Sequence, residues 1–387
     1  MSAGKAIPWQ WIVLCLAITA LGMSGLLRAD ELYGRTLLVE KQCLWMTIAI
    51  AALVGTSLVP FRLIRSGSLV FYGLSLAGLV VVLFMPAVNG SRRWIPLGLF
   101  DFQASEPARV AFILALASYL MHRDSQRTLR GLVPPFVLAL VPIVLIIREP
   151  DLDTALLFVP VLATMLLTAG ARWQHMLAAA LLGIACLPLL WTQMSPEQQS
   201  RIVTVFLQRD GGAAPAGDGF HLHQSKQVLA LGGFAGSARH EEPPLDDPAA
   251  WQLPASRTDF VFAMIGERHG FLACALLMVL YLLLVWKGLR VAHGTREPWS
   301  RLVAVGITTL IAEQVILNTG MTVGLLPITG TTLPLCSYGG SSLISTAAAI
   351  GLLASIERHR SFEVAQEPFG VASTFRATQW VSNSASR

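Results

Sequence analysis

A chain of 387 residues with 54% hydrophobic and only 13% charged side chains lies outside the range of soluble globular proteins, which carry about 25% charged residues. Its mean hydropathy of +0.61, with apolar runs of about 18 residues or more, calls for lipid as solvent and excludes an ordinary soluble enzyme. The net charge of +5 is scattered as ones and twos between apolar runs, a pattern of loop charge that sets membrane orientation rather than a nucleic-acid footprint.

In chain order, apolar runs fall near residues 10–27, 44–60, 69–88, 104–121, 131–147, 152–170, 174–193, 259–286, 302–326 and 338–356. A membrane strand alternates over about ten residues, whereas these runs are longer and apolar on every face. They predict an all-α polytopic membrane protein of about ten transmembrane helices. The first run follows Lys5 as a signal peptide would, but it is long, has no A-x-A site and precedes many further spans, so it is expected to stay as the first helix.

With the N-terminus inside, the inner loops hold Arg62, Arg65, Arg123, Arg127, Arg130, Arg172, Lys287, Arg290, Arg296 and Arg301. The outer loops are poorer in basic residues or balance them with acids, which places both termini in the cytoplasm. One large loop, about 192–258 between helices 7 and 8, then faces outward, together with the segments around Trp94, Asp151 and Pro327. In that loop 211–219 is a flexible Gly/Ala/Pro stretch, 221–234 has an amphipathic helical pattern, and 241–247 is acidic. Residues 1–360 form the transmembrane domain, and 361–387 a polar cytoplasmic tail with the composition of a disordered segment. Cys15, Cys43, Cys186, Cys274 and Cys336 lie far apart without CxxC spacing, which argues against a disulfide or metal role.

Ionisable residues inside spans are costly, so each is a candidate for function. A first cluster holds Asn89, Gly90, Arg92, Arg93, Trp94, Gln103, Ser105, Glu106 and Arg109. Glu106 and Arg109 share a helical face and can pair, either in function or as a structural ion pair. A second, Glu149 to Thr154, puts Asp151 and Asp153 at a helix start, where simple capping is the competing explanation. A third contains Thr258, Asp259, Glu267 and Arg268, with Asp259 at the outer lip and Glu267 and Arg268 about 12–14 Å deeper. Ser256 to Asp259 could itself be a cap. The fourth is Glu313 with the stripe Gln314, Asn318 and Thr322, beside Gly320 and Gly324, a small-xxx-small pair suited to close helix packing. The irregular, hydroxyl-rich segment 326–342 that follows must line a cavity or lie against protein.

Taken together, these strings resemble the SEDS family, the shape, elongation, division and sporulation proteins typified by RodA, FtsW and SpoVE. The matching segments run from about Asn89 to Ile356: NGSRRWIPLGLFDFQASEPAR at 89–109, EPDLDTAL at 149–156 against the family's QPDLGTAL, RIVTVFL from Arg201, HQSKQVLALGG at 223–233, SRTDFVFAMIGE at 256–267, and NTGMTVGLLPITGTTLPLCSYGGSS at 318–342. The resemblance implies a ten-helix inverting glycosyltransferase that polymerises lipid II into peptidoglycan strands at the outer face of the bacterial cytoplasmic membrane. It also implies that Asp259, the acid of the TDF motif, is catalytic, as general base toward the acceptor hydroxyl.

The departing lipid pyrophosphate needs positive charge, for which Arg93, Arg109, Arg201, Arg209 and Lys226 are candidates. Arg109 occupies the family's lysine position, where pairing with Asp259 would keep that carboxylate ionised. Trp94, Gln103, Glu106, Asp151, Gln224, Ser225, Gln314, Asn318 and Ser337 complete the candidate substrate-binding set. No metal-ligand spacing is present, although a loosely bound Mg²⁺ riding on the pyrophosphate fits that ion's habit of keeping its waters. The implied partner is a class B penicillin-binding protein transpeptidase.

Departures from the family pattern surround the candidate base. Ala255 and Arg257 replace its Glu and His, Arg268 replaces the second Glu of GEE, and Asp153 replaces a Gly. A flippase for the lipid-linked precursor would use the same cavity, polar stripe and basic residues without chemistry, and a third reading is an inactive scaffold of a wall-synthesis complex. SRRW looks more like the FtsW branch and PITG without a lysine more like RodA, leaning toward elongation over division.

Overall fold

The computed structural model describes residues 8–34, 36–87, 91–98, 101–121, 127–208, 218–237 and 253–359. Within them the chain is almost wholly helical, as lipid demands of any segment that must satisfy its backbone groups internally. The helices are α1 (Trp9–Tyr33), α2 (Leu38–Leu58), α3 (Phe61–Val82), α4 (Ser105–Leu120), α5 (Leu129–Arg148), α6 (Leu152–Leu156), α7 (Phe158–Thr168), α8 (Trp173–Gln193), α9 (Pro196–Leu207), α10 (Asp218–Leu231), α11 (Val261–Gly294), α12 (Pro298–Thr322) and α13 (Gly340–His359). Eight of them are long and apolar enough to cross a membrane. The two other predicted spans are the 16-residue α4 and the α6–α7 pair, which breaks at Leu157. The ten predicted runs are therefore all helical.

Burial sorts the helices into layers. Helix α4 buries Ala108, Ala111, Phe112, Ile113, Leu114, Ala115, Leu116 and Ala117 in succession, so it is sheathed on every side by α3, α12 and α13. Helices α12 and α13 are also largely covered, whereas no residue of Trp173–Thr192 in α8 is buried. A core thus forms around α4, α12 and α13, with α2 against α13 and α1 against α11. One feature departs from an all-helical pattern: β1 (Trp94–Pro96) pairs antiparallel with β2 (Asp101–Gln103), Trp94 opposite Gln103. A lone hairpin is marginal, and this one is tied to α13, where the Ser341 hydroxyl accepts from the Gln103 N–H at 3.2 Å.

Helix α11 runs to Gly294, beyond the predicted end at 286, so Lys287 and Arg290 are helical rather than in a loop. It bends at Gly270, whose φ of 73° belongs to the left-handed region. The break frees two amides, and the loop after α10 accepts them: Phe271 N–H donates to Gly233 O at 2.9 Å and Leu272 N–H to Phe234 O at 3.4 Å. Only glycine permits that contact. A Cβ on Gly270 would lie 2.4 Å from Gly236 N, and one on Gly232 would lie 1.9 Å from Gly266 O.

Outside the membrane helices, α9 starts with a capping box in which Ser195 and Gln198 satisfy each other's amides. The amphipathic pattern predicted at 221–234 is α10, shifted to Asp218–Leu231. Gly320 and Gly324 do not pack helix on helix as predicted. Gly320 makes room for the Leu326 side chain, and Gly324, at φ 84°, for Gln208 at the end of α9, because the chain turns back there. The predicted acidic stretch 241–247, the tail 361–387, most of the 211–219 stretch, and Asn89, Gly90, Arg123 and Arg209 lie outside the described residues.

Candidate active site

The TDF segment forms a tight turn ahead of α11. The carbonyl of Ala255 accepts the N–H groups of Thr258, Asp259 and Phe260 at 3.1, 3.0 and 3.2 Å, and Ala255 itself adopts φ 54°. For a residue with a Cβ that conformation costs about 1–2 kcal/mol, offset here by the three amides it gathers. Three consecutive carbonyls of the turn then each meet a different donor. Tyr338 N–H reaches Arg257 O at 3.0 Å, the Ser337 hydroxyl reaches Thr258 O at 2.5 Å, and Asn318 Nδ2 reaches Asp259 O at 2.8 Å. Arg257 adds a fourth tie, donating to Asp30 Oδ1 at 2.8 Å and Gly34 O at 2.9 Å at the end of α1.

With its backbone fixed, Asp259 has only its side chain to move. It is not a helix cap, since Phe260 fills that position and makes no side-chain cap bond. Crowding by protein pushes its carboxyl up to about 7, with the Thr258 hydroxyl opposing; of the nearby charges Asp153 raises it further, while Arg201 and Arg93 lower it.

Those charges come from the segments predicted to face outward. Asp151 caps α6, accepting from Thr154 N–H at 3.2 Å and the Thr154 hydroxyl at 2.9 Å, so the capping explanation describes its contacts. It also faces Arg93, whose Nε lies 3.6 Å from its Oδ2. Arg93 donates as well to Pro150 O at 2.5 Å. Beside it the Glu149 carboxyl is pushed up to about 8 by burial and by Asp151, with Arg93 opposing. Asp153 accepts from Arg201 Nη1 at 3.3 Å and from Gly330 N–H at 3.0 Å, both at Oδ2. The structure therefore pairs Arg93 with Asp151 and Arg201 with Asp153, and Asp259 feels the charges of Arg93, Arg201 and Asp153, with Trp94 adjacent to Arg93 in β1.

Other predicted residues go elsewhere. Arg109 does not pair with Asp259; it pairs with Glu106 one turn away, and both line a small interior cavity with Ile307, Leu310, Ile311 and Gln314. The i,i+3 spacing on buried α4 makes that pairing the shorter route. Gln103 lies in the hairpin. Asn318 and Ser337 act on the backbone of the TDF turn. Gln224 and Ser225 are buried on α10, where Ser225 donates to Thr322 O at 2.9 Å, while Lys226 donates to Gln208 at 3.0 Å. Glu267, with no exposure, takes a bidentate pair of 2.7 Å bonds from Arg28 of α1, and Arg268 reaches Glu31 at 3.1 Å. Sequence reasoning missed the Gly330 amide and read Asp153 as a helix-start acid and a departure from the pattern, without a partner; two carboxyls where QPDLGTAL has none, Glu149 and Asp153, were the available signal.

Residues 6–362 match the FtsW/RodA/SpoVE family, described as cell cycle proteins. The chain belongs to this family. Among FtsW/RodA/SpoVE relatives, stage V sporulation protein E of Bacillus subtilis is 34% identical over 73% of this chain and 77% of its own length. Peptidoglycan glycosyltransferase MrdB of Escherichia coli is 31% identical over 84% and 86%. A chain from a solved peptidoglycan synthase complex, described as coordinating polymerisation and crosslinking, superposes with a TM-score of 0.77 at 28% identity, covering 94% of this chain and 99% of that one. The rod shape determining protein RodA of Thermus thermophilus superposes at 0.67 with 26% identity, over 92% and 98%. This family membership and the helical fold agree with the resemblance drawn from the motifs, and the chain is a multi-pass membrane protein.

Proposed function

We propose that this protein is a peptidoglycan glycosyltransferase that polymerises lipid II at the outer face of the bacterial cytoplasmic membrane, with both termini in the cytoplasm. The observation that carries the reading is Asp259 on a turn held by hydrogen bonds, in the electrostatic field of Arg93 and Arg201, in a chain related to named peptidoglycan glycosyltransferases. Asp259 takes the proton of the acceptor sugar's 4-hydroxyl as that oxygen attacks the donor's anomeric carbon. The bond from that carbon to the pyrophosphate oxygen breaks, and the configuration inverts. A general base works best with a pKa near the working pH, which suits a carboxyl held at about 7.

Arg93 and Arg201 offset the charge that develops on the departing lipid pyrophosphate. A magnesium ion carried in on that pyrophosphate would keep most of its waters and need few protein ligands. The partner is a class B penicillin-binding protein transpeptidase, and the role leans toward cell elongation.

The test is polymerisation of labelled lipid II by the purified protein with its transpeptidase partner, wild type against Asp259→Ala. Polymer from wild type alone supports the enzyme and its base. Polymer from both overturns the base, and polymer from neither, with the partner bound, moves the reading to a precursor flippase or a scaffold.

A further inference from the structure

Asp153 stands where the QPDLGTAL pattern has glycine, so the backbone there needs no carboxylate. Yet one oxygen, Oδ2, takes both a guanidinium N–H from Arg201 and the main-chain N–H of Gly330. A charged donor and a backbone amide converging on one oxygen is how proteins hold phosphate. A third donor stands close: a Cβ built on Gly330 would lie 3.8 Å from Asp153 Oδ2 and 4.0 Å from Arg93 Nη1. Gly330 thus sits between this carboxylate and a second arginine, in van der Waals reach of both.

We infer that Arg201, the Gly330 amide and Arg93 form an anion site for a phosphate group, and that Asp153 is an internal anion filling it until a phosphate-bearing ligand displaces the carboxylate. Arg93 is already engaged by Asp151 at 3.6 Å, and Arg201 on α9 is about one-third exposed, so it can be reached from outside. Displacement withdraws the same oxygen from Arg201 and from the Gly330 N–H in one step. It also removes a bridge between α9 and the segment 326–339, whose Ser337 and Tyr338 pin the TDF turn. Asp153 is therefore a positioning residue that makes anion entry competitive. Only the identity of the anion, a lipid pyrophosphate, rests on the glycosyltransferase reading.

The experiment is equilibrium binding of undecaprenyl pyrophosphate, inorganic pyrophosphate and uncharged undecaprenol to the full-length protein in detergent. All proteins carry Asp259→Ala, so that turnover does not intervene. Asp153→Asn and Asp153→Ala are added singly, and each also with Arg201→Ala. Removing a competing charge at a partly exposed site is worth about a fivefold gain, so both Asp153 variants are expected to bind undecaprenyl pyrophosphate about fivefold tighter. Undecaprenol binding should stay unchanged, and Arg201→Ala should erase the gain.

A gain for inorganic pyrophosphate as well supports a site that recognises phosphate alone, and a gain for the lipid form only supports one that also needs the chain in the membrane. Unchanged or weaker binding in both variants, at an undiminished melting temperature, overturns the proposal. So does a gain that survives Arg201→Ala. Because binding is read without turnover, failure of wild-type polymerisation would count against the glycosyltransferase reading and leave this result standing.

Discussion

Asn318, fully buried in α12, donates 2.8 Å hydrogen bonds from its amide nitrogen to Asp259 O and Thr331 O, so one side chain holds both the TDF turn and the segment that passes beneath it. Replacing it with alanine leaves the Asp259 carboxylate in place but removes the bond to the Asp259 carbonyl, loosening the turn at that residue. A displacement of about 1 Å at a reacting group costs about a hundredfold, so Asn318→Ala should lower kcat by about ten- to a hundredfold with little change in KM. Initial rates of lipid II polymerisation at varied substrate concentration check this, and an unaltered kcat would remove Asn318 from the site's support.

Asp259 itself should set the pH profile. Its folded-state carboxyl is raised to about 7, so the neutral acid dominates below that value and the base form only above it. The polymerisation rate should rise about tenfold per pH unit up to about pH 7 and then level off. By linkage, the folded protein binds this proton more tightly than the unfolded chain, so the group's contribution to stability fades as pH rises through 7. Asp153→Asn removes a negative neighbour and should move the midpoint down. A midpoint that stays put would show that burial alone sets it.

Arg28 and Glu267 join α1 to α11 across 239 positions of sequence. Removing one member of a buried ion pair leaves the other uncompensated, at a cost of about 3–5 kcal/mol. Arg28→Ala should therefore lower the melting temperature in detergent clearly, and Glu267→Gln, which keeps the shape and some hydrogen bonding, should lower it less. Equal small shifts would mean that water already solvates the pair.

The bend at Gly270 gives a prediction of another kind. Alanine there faces both a left-handed φ and a Cβ 2.4 Å from Gly236 N, so the loop after α10 must lift away. Gly270→Ala should speed proteolysis within residues 232–237 and cut activity, while Gly183→Ala on exposed α8, where a Cβ meets nothing, should do neither.

The helical segments and their order were readable from sequence, because membrane helices announce themselves by length and apolarity, while Asp259 was singled out by its motif alone. What the pattern could not carry were pairings between distant residues. Arg109 had Glu106 and Asp259 both as plausible partners, and only the burial of α4 decides for the nearer one. Gly232, Gly236, Gly266 and Gly270 look like separate small residues until the loop and the helix are seen to touch. Asp153 registered as a mismatch to a pattern, since nothing local says that Arg201 and the Gly330 amide will meet at its oxygen. The break at Leu157 had one signal in the sequence, Pro160, which has no N–H to give Leu156 O, but it lies within a run read as a single span.

Helix α8 packs against α7 but buries none of residues 173–192. With so little protein against it, its tilt is governed by the thickness of the surrounding hydrocarbon more than that of any helix in the core. Only Met194 and Ser195 separate it from α9, which carries Arg201. A thinner or thicker bilayer therefore acts on this guanidinium through a connection two residues long, and lipid chain length becomes a variable of the enzyme's turnover alongside substrate and pH.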